Sequence, residues 1–274
     1  MNTSLSKVAL ITGGAGLGIG HGLSEALAAA GWNLVIADRD ATTATALAER
    51  LNQTGITVEV VPVDVTAPEA PTQAVAAALK RFGRLDALVN SAAVGLLKKA
   101  GEVSDEEFQT LFNVNFFAAF RFVRAALPAL IQTQGAIVNI GSVHTRLAAA
   151  DYALYAATKA ALDAFTRGLA VDYGAQGVRA NIVHPGLVAS PQNGRLFTHL
   201  GVDPAQWVKE FILTKQCLPD LVSAREVGEL VTFLLSQNAR TITFHHLGFV
   251  CLVLTGYAFV FWSVTFFVRV HGLS

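Results

Sequence analysis

The chain has 274 residues, 53% of them hydrophobic and only 15% charged, and its twenty basic residues balance twenty acidic ones. Soluble domains carry roughly a quarter charged residues. The composition therefore excludes intrinsic disorder, which needs low hydrophobicity and high net charge, and a nucleic-acid partner recruited by bulk positive charge. The length suits one large α/β domain. Two cysteines, Cys217 and Cys251, make neither a disulfide framework nor the paired spacing of a zinc site, so a reducing compartment and no metal are expected. Met1 to Lys7 lead straight into an apolar strand without the features of a signal peptide, and residues 1–240 are expected in the cytoplasm.

In chain order, Val8-Ala9-Leu10-Ile11-Thr12 reads as a first strand, followed by a glycine-rich turn and a helix over 23–30. Further β-branched runs stand at 33–37, 57–61, 87–89, 136–140 and 178–183, each separated from the next by a segment able to form a crossover helix. Strands alternating with helices in this way imply βαβ units. The predicted fold is α/β, a Rossmann-type doubly wound parallel sheet in three α/β/α layers. From residue 241 to 268 there is no Asp, Glu, Lys or Arg, and residues 247–268 are long and apolar enough to be a transmembrane candidate.

The run Thr12-Gly13-Gly14-Ala15-Gly16-Leu17-Gly18-Ile19-Gly20 sits between the first strand and the first helix. Glycines there let the backbone approach a pyrophosphate, and a helix N-terminus offers free N–H groups. Glycine runs more often serve tight turns, but strand, helix and an acid about 20 residues further on strengthen the nucleotide reading. That acid is Asp38, which ends the second strand. A carboxylate at this point accepts from the adenosine ribose hydroxyls and repels a 2′-phosphate, which favours NAD; Arg39 beside it keeps NADP open. Asp38 also suits a helix cap, and Arg39 simple solvation.

Tyr155-Ala156-Ala157-Thr158-Lys159 lies in a stretch of helical composition, 152–173, and the i, i+4 spacing puts Tyr155 and Lys159 on one face. A phenol titrates near 10, and a neighbouring ammonium stabilises the phenolate. Ser142 stands 13 residues before Tyr155, Asn90-Ser91-Ala92-Ala93 follows the fourth strand, Asn115 lies in the next helix, and Pro185-Gly186-Leu187-Val188-Ala189-Ser190 follows the sixth strand. On these motifs residues 7–243 resemble short-chain dehydrogenases/reductases of the classical type.

The resemblance implies an NAD(P)-dependent oxidoreductase that moves a hydride between a nicotinamide and a secondary alcohol or ketone, such as a 3-oxoacyl thioester, sugar or polyol. It implies Tyr155 as general acid/base, Lys159 as its activator and a hold on the nicotinamide ribose, Ser142 as hydrogen-bond partner of the substrate oxygen, and Asn115 as organiser of a water. The cofactor set it implies is Gly13, Gly14, Gly18, Ile19, Gly20, Asp38, Arg39, Asp64, Val65, Asn90, Ala92, Tyr155, Lys159, Pro185, Gly186, Val188 and Ser190. Residues 189–220, with Phe197, Trp207, Phe211 and Ile212, would cover the nicotinamide. The partners implied are a small alcohol or ketone and further copies of the chain, as a dimer or tetramer.

Three features depart from the family pattern. The glycine turn is one residue longer, leaving the roles of Gly13 and Gly14 open; Ser91 and Ala93 stand where Asn and Gly are commoner; and Phe244 takes the place of a glycine, with no acid-Gly-Gly turn after Phe249. The expected division is thus a catalytic domain at 1–243 and an atypical hydrophobic segment at 244–274. A membrane anchor, an interface arm and an aberrant reading frame all fit that segment. The altered end also leaves a second function in view, a catalytically impaired nucleotide-binding sensor or membrane-attached scaffold.

Overall fold

The structure is a computed structural model, and it describes residues 6–190, 197, 201–215 and 221–241. The apolar segment 244–274, with its spanning candidate 247–268, lies outside the described residues, as do Cys217 and Cys251.

Six strands form one parallel sheet: β1 (Val8–Thr12), β2 (Asn33–Asp38), β3 (Val58–Pro62), β4 (Ala87–Asn90), β5 (Ala136–Ile140) and β6 (Arg179–Val183), in the order β3-β2-β1-β4-β5-β6. The strand ends differ from the sequence expectation by a residue at Thr57 and Val178, both of which fall just before their strands, and at Asp38, Pro62 and Asn90, which extend theirs. The chain winds outward in one direction from β1 to β3, then returns to the far side of β1 and winds outward again. The crevice between β1 and β4 is the switch point at which such sheets bind ligands beyond the strand C-termini.

Burial on both faces explains why the strands read as continuous apolar runs. Alternate residues separate into two cores: Ala9, Ile11, Leu34, Ile36, Val89 and Val138 face one side, and Val8, Leu10, Val35, Ala37, Leu88 and Ile137 face the other. The first core is covered by α1 (Ile19–Ala29) and α2 (Ala41–Asn52), together with the late helix Ala224–Leu235. The second is covered by α3 (Ala70–Phe82), α5 (Ala118–Thr133) and α6 (Ala153–Tyr173). Between them in the chain run α4 (Asp105–Phe112), a π-helical turn Asn113–Phe117, and α7 (Pro204–Lys215); the late helix is α8.

The helix α1 begins four residues earlier than the composition suggests, because Ile19 to Gly22 are helical despite two glycines. Those glycines are needed for packing. A Cβ on Gly22 would lie 2.2 Å from the Ala224 carbonyl oxygen, and one on Gly228 would lie 2.3 Å from that of Gly22, so α1 and α8 touch backbone to backbone. Among the described residues one continuous helical stretch, Asp105–Thr133, is long and apolar enough to cross a membrane. Its apolar side chains include Phe122, Val123, Ala126 and Leu130, which are buried against the sheet.

Candidate active site

The glycine turn is held by its neighbours through main-chain contacts. Gly13, with φ +66°, donates its N–H to the Ala37 carbonyl at 2.8 Å, and a Cβ there would lie 3.0 Å from the Cα of Ala92. Gly14 points the other way, toward Ile11, and its carbonyl accepts from Ser24 Oγ at 2.8 Å. This separates the two roles: Gly13 faces the β1/β4 crevice and Gly14 faces the core. Gly18 packs on Ser190, and a Cβ on Gly20 would collide with the Gly13 carbonyl oxygen at 1.9 Å. No side chain caps α1; the His21 N–H donates to the Gly16 carbonyl at 3.1 Å, which leaves the N–H groups of Ile19 and Gly20 for a ligand. An uncapped helix start framed by glycines fits a pyrophosphate.

Asp38 is nearly buried, at 8% exposure, and its carboxylate accepts from the Ala15 N–H at 3.0 Å and from the Asp40 N–H at 3.1 Å. It therefore ties the end of β2 to the glycine turn, and a carboxylate with two bonds still has acceptor capacity for hydroxyl donors. Arg39 is exposed, on the side of Asp64. Asp64 accepts from the N–H and the hydroxyl of Thr66, and those bonds hold its carboxyl below the usual range. Val65 is buried beside it.

The far side of the crevice is built from side-chain hydrogen bonds. Thr12 Oγ1 accepts from the N–H groups of Ser91 and Ala92. Asn90 Nδ2 donates to Asn139 Oδ1 at 2.8 Å, Asn139 Nδ2 donates to Thr166 Oγ1 at 2.8 Å, and Thr166 donates to the Leu162 carbonyl. This chain fastens β4 and β5 to α6 through fully buried atoms. Asn115 sits in the π-helical turn, a register shift that is frequent at functional sites. Its Nδ2 donates to the Val94 carbonyl and to Thr158 Oγ1, while its Oδ1 accepts from the Val94 N–H. Asn115 thus reaches α6 through Thr158, the neighbour of Lys159, rather than through Lys159 itself.

Ser142 follows β5 by two residues, and its hydroxyl accepts from the His144 N–H at 3.2 Å. Burial pushes the Tyr155 phenol up to about 12, offset in part by a hydrogen bond with Ser142 and added to by Tyr152, whose ring lies edge-on at 5.6 Å. Burial pushes the Lys159 ammonium down to about 8; it is 2% exposed and donates to the Ile140 carbonyl at 2.8 Å. Its Nζ lies 5.9 Å from the Tyr155 ring. The expected lowering of the phenol by Lys159 is therefore outweighed here: desolvation dominates both groups, and the ammonium is turned to a main-chain oxygen. Ser142, Tyr155 and Lys159 are nonetheless brought to one corner, at the C-terminal end of β5.

Beyond β6, Gly186 leads to Val188, which bridges Val222, while the Ala189 N–H donates to the Val222 carbonyl at 3.0 Å. Phe197, Trp207 and Phe211 pack in series, the first pair tilted with ring centroids 5.0 Å apart and the second stacked at 5.2 Å. A cavity of about 190 Å³ is lined by Leu187, Ala189, Ser190, Phe197, Val208 and Leu221. Pro185 and the residues after it thus stand beside the same crevice as Gly18 and Ser190.

Several residues of this corner escape a reading of motifs alone: Thr12, Asn139, Thr158, Thr166, and the pair His184 and Asp163. The signal available for them is a polar residue inside an otherwise apolar strand, as at Asn139, or the continuation of a helical stripe, as at Asp163, four residues after Lys159.

Residues 14–249 match the family model described as Enoyl-(Acyl carrier protein) reductase. The chain is 35% identical over 244 residues to trans-4-hydroxycyclohexanecarboxylate dehydrogenase of Sinomonas cyclohexanicum, covering 86% of this chain and 88% of that one. It is 32% identical over 238 residues to a Comamonas cyclopentanol dehydrogenase, covering 86% and 92%. The solved structure of L-sorbose reductase from Gluconobacter frateurii, in complex with NADPH and L-sorbose, superposes with a TM-score of 0.81 at 29% identity, covering 89% of this chain and 95% of that one. The chain belongs to the short-chain dehydrogenase/reductase family. It is an NAD(P)-dependent oxidoreductase acting on CH–OH groups of small alcohols.

Proposed function

We propose that the protein is an NAD-linked dehydrogenase of apolar, cyclic or branched secondary alcohols, with Tyr155 as its general acid/base. The observation that carries this reading is the convergence of Ser142, Tyr155 and Lys159 at the C-terminal end of β5, two strands from the β1 end that carries the glycine turn. The nicotinamide, when bound, supplies or takes up the hydride. In reduction the neutral Tyr155 phenol donates its proton to the carbonyl oxygen of the ketone; in oxidation the same oxygen returns it. A phenol held high by burial is protonated at neutral pH and serves reduction as it stands, whereas oxidation needs the phenolate to take the proton of the alcohol and is expected to speed up as the pH rises. Ser142 Oγ shares that substrate oxygen and steadies the charge developing on it. Lys159 holds positive charge beneath the phenol below about pH 8, and Asn115 fixes the adjoining turn of α6 through Thr158.

The cofactor is proposed to lie across Gly13, Gly14, Gly18, Ile19 and Gly20, with Asp38 toward the adenosine ribose, Arg39, Asp64 and Val65 at its adenine end, and Asn90, Ala92, Pro185, Gly186, Val188 and Ser190 toward the nicotinamide. The Asp38 carboxylate, fixed by two backbone N–H groups, favours NAD over NADP by repulsion of a 2′-phosphate. The apolar lining of the cavity beneath Phe197 supports an apolar substrate, as do the names of the two dehydrogenase relatives. Residues 1–243 form the catalytic domain in this reading, which works in the cytoplasm, with any membrane attachment confined to 247–268. Exposed Phe117 and Phe120 on one side of the molecule support assembly into a homo-oligomer.

The reading is tested by following nicotinamide absorbance with cyclohexanol, cyclopentanol, a sugar and a 3-hydroxyacyl thioester, each with NAD and with NADP. NAD-linked oxidation of the cyclic alcohols at the highest kcat/KM is expected. A preference for NADP, or for the sugar, contradicts the respective part.

A further inference from the structure

His184 follows β6 and stands immediately before Pro185, and its ring connects two parts of the active corner that the chain leaves far apart. On one side its Nε2 lies 2.9 Å from Asp163 Oδ1. On the other its Nδ1 lies 3.2 Å from the Ser142 nitrogen and 3.0 Å from the Ser142 carbonyl oxygen. The peptide N–H groups flanking Ser142 are satisfied by main chain, Gly141 by the Val183 carbonyl at 2.7 Å and Val143 by the Pro185 carbonyl at 3.2 Å. For Ser142 itself the imidazole takes the place of the carbonyl in that ladder. The ring is packed flush against the strand end, since a Cβ on Gly141 would lie 2.5 Å from His184 Nδ1.

Asp163 comes one turn after Lys159 and two turns after Tyr155, so the three share a face of α6. Burial alone would push its carboxyl up; the His184 hydrogen bond and the charges of His184, Arg167 and Arg146 outweigh that and hold it down, as an anion. An anionic acceptor at Nε2 keeps the proton on that nitrogen. A neutral ring then accepts from the Ser142 N–H through Nδ1, and an imidazolium donates from Nδ1 to the Ser142 carbonyl. In either state the ring grips the same residue.

We propose that Asp163 and His184 are a positioning pair: anchored on the helix that carries Tyr155, they fix the main chain of Ser142 and so set its hydroxyl against the phenol. The pair closes a loop from Tyr155 along α6 to Asp163, through His184 to Ser142, and back. It rests on the role proposed for Ser142 and adds the residues through which that role is held.

The test uses the full chain with His184→Asn and His184→Gln. Asparagine places an amide at the position of Nδ1 and can hold Ser142; glutamine places it at the position of Nε2 and keeps only the Asp163 contact. Hydrogen exchange of the Ser142 amide, NADH affinity, and kcat and KM for cyclopentanol are read for each. A 1 Å misplacement of a reacting group can cost about a hundredfold, and His184→Gln, which shifts Ser142 by less, is expected to lose Ser142 amide protection and to lower kcat by about tenfold with NADH affinity unchanged. His184→Asn should keep both within about threefold. Should His184→Gln not fold, Asp163→Ala is expected to give the same pattern, loosened Ser142 amide and lowered kcat. Unchanged Ser142 exchange in His184→Gln, or loosened exchange with full kcat, overturns the pairing. A wild-type chain with the expected exchange pattern and no NAD-linked turnover overturns the proposed function instead, because the exchange measurement needs no substrate.

Discussion

The two walls of the β1/β4 crevice are built in opposite ways. On the β1 side the wall is made largely of missing side chains: Gly13, Gly18 and Gly20 bring backbone within contact of Ala92, Ser190 and the turn's own carbonyl, and the side chains that fasten it, Asp38, Ser24 and Thr12, all bond to main chain. On the β4–β6 side it is made of polar side chains taken out of water, Asn90, Asn139, Thr158, Lys159 and Thr166, each with a partner inside the protein, although the buried Oδ1 of Asn90 has none among the described residues. The first wall tolerates no added atoms. The second tolerates no lost partners, since an unpaired buried polar group costs about 1–3 kcal/mol. The first suits an invariant ligand held by its phosphates, and the second suits a proton donor whose environment must be set.

The contrast can be broken most strongly at Gly20. Its alanine variant places a methyl 1.9 Å from the Gly13 carbonyl oxygen, so the turn must shift. Overpacking costs typically 1–3 kcal/mol and occasionally more, and Gly20→Ala is expected at or above the top of that range, with loss of NADH binding. Urea unfolding and NADH fluorescence titration check it; native stability together with native affinity would contradict it.

On the other wall the effect is electrostatic and depends on pH. The folded Lys159 titrates at about 8 against an ordinary 10.5, so between those values the unfolded chain holds a proton that the folded chain has released. Stability therefore rises with pH through this window, and below about pH 8 the cost of the buried ammonium is constant. In Lys159→Met the rise disappears. The difference between the two unfolding free energies should change by about 1–3 kcal/mol from pH 8 to pH 10, as measured by urea midpoints, and parallel curves would show that Lys159 is not desolvated.

The smallest effect lies outside both walls. Gly168, inside α6, has open space where its Cβ would be. Gly168→Ala is expected to stabilise the fold by about 0.5–1 kcal/mol through helix propensity. Calorimetry should show a Tm raised by about 2 °C with activity kept; a lowered Tm would mean that this face of α6 is closely packed against another surface.

Much of the first wall is legible in the sequence; of the second, Asn90, Ser142, Tyr155 and Lys159 are, but not the buried residues that hold them. All six strands stand out because a parallel sheet buried on both faces leaves β-branched apolar runs. The glycine turn and Asp38 are read from spacing along one βαβ unit, and Tyr155 with Lys159 from one turn of helix. The bonds that fix those two residues are not local. Asn90 and Asn139 are 49 residues apart, Asn115 and Thr158 are 43 apart, and His184 and Asp163 are 21 apart, so only the strand order brings them together. The π-helical turn at Asn113–Phe117 leaves no compositional mark, because it changes hydrogen-bond register and not polarity. The opposite roles of Gly13 and Gly14 follow from a positive φ at the first, which a run of glycines conceals.

The central claim is that cofactor holding and proton transfer are properties of separate walls, with Tyr155 on the second. It is tested most directly by Tyr155→Phe, measured for NADH affinity and for turnover of the alcohol that the wild type prefers. General acid/base catalysis contributes about 10²–10⁴; a fall in kcat of about a thousandfold with NADH affinity unchanged is the expected result. Turnover retained within a few fold, or lost together with NADH binding, would contradict it.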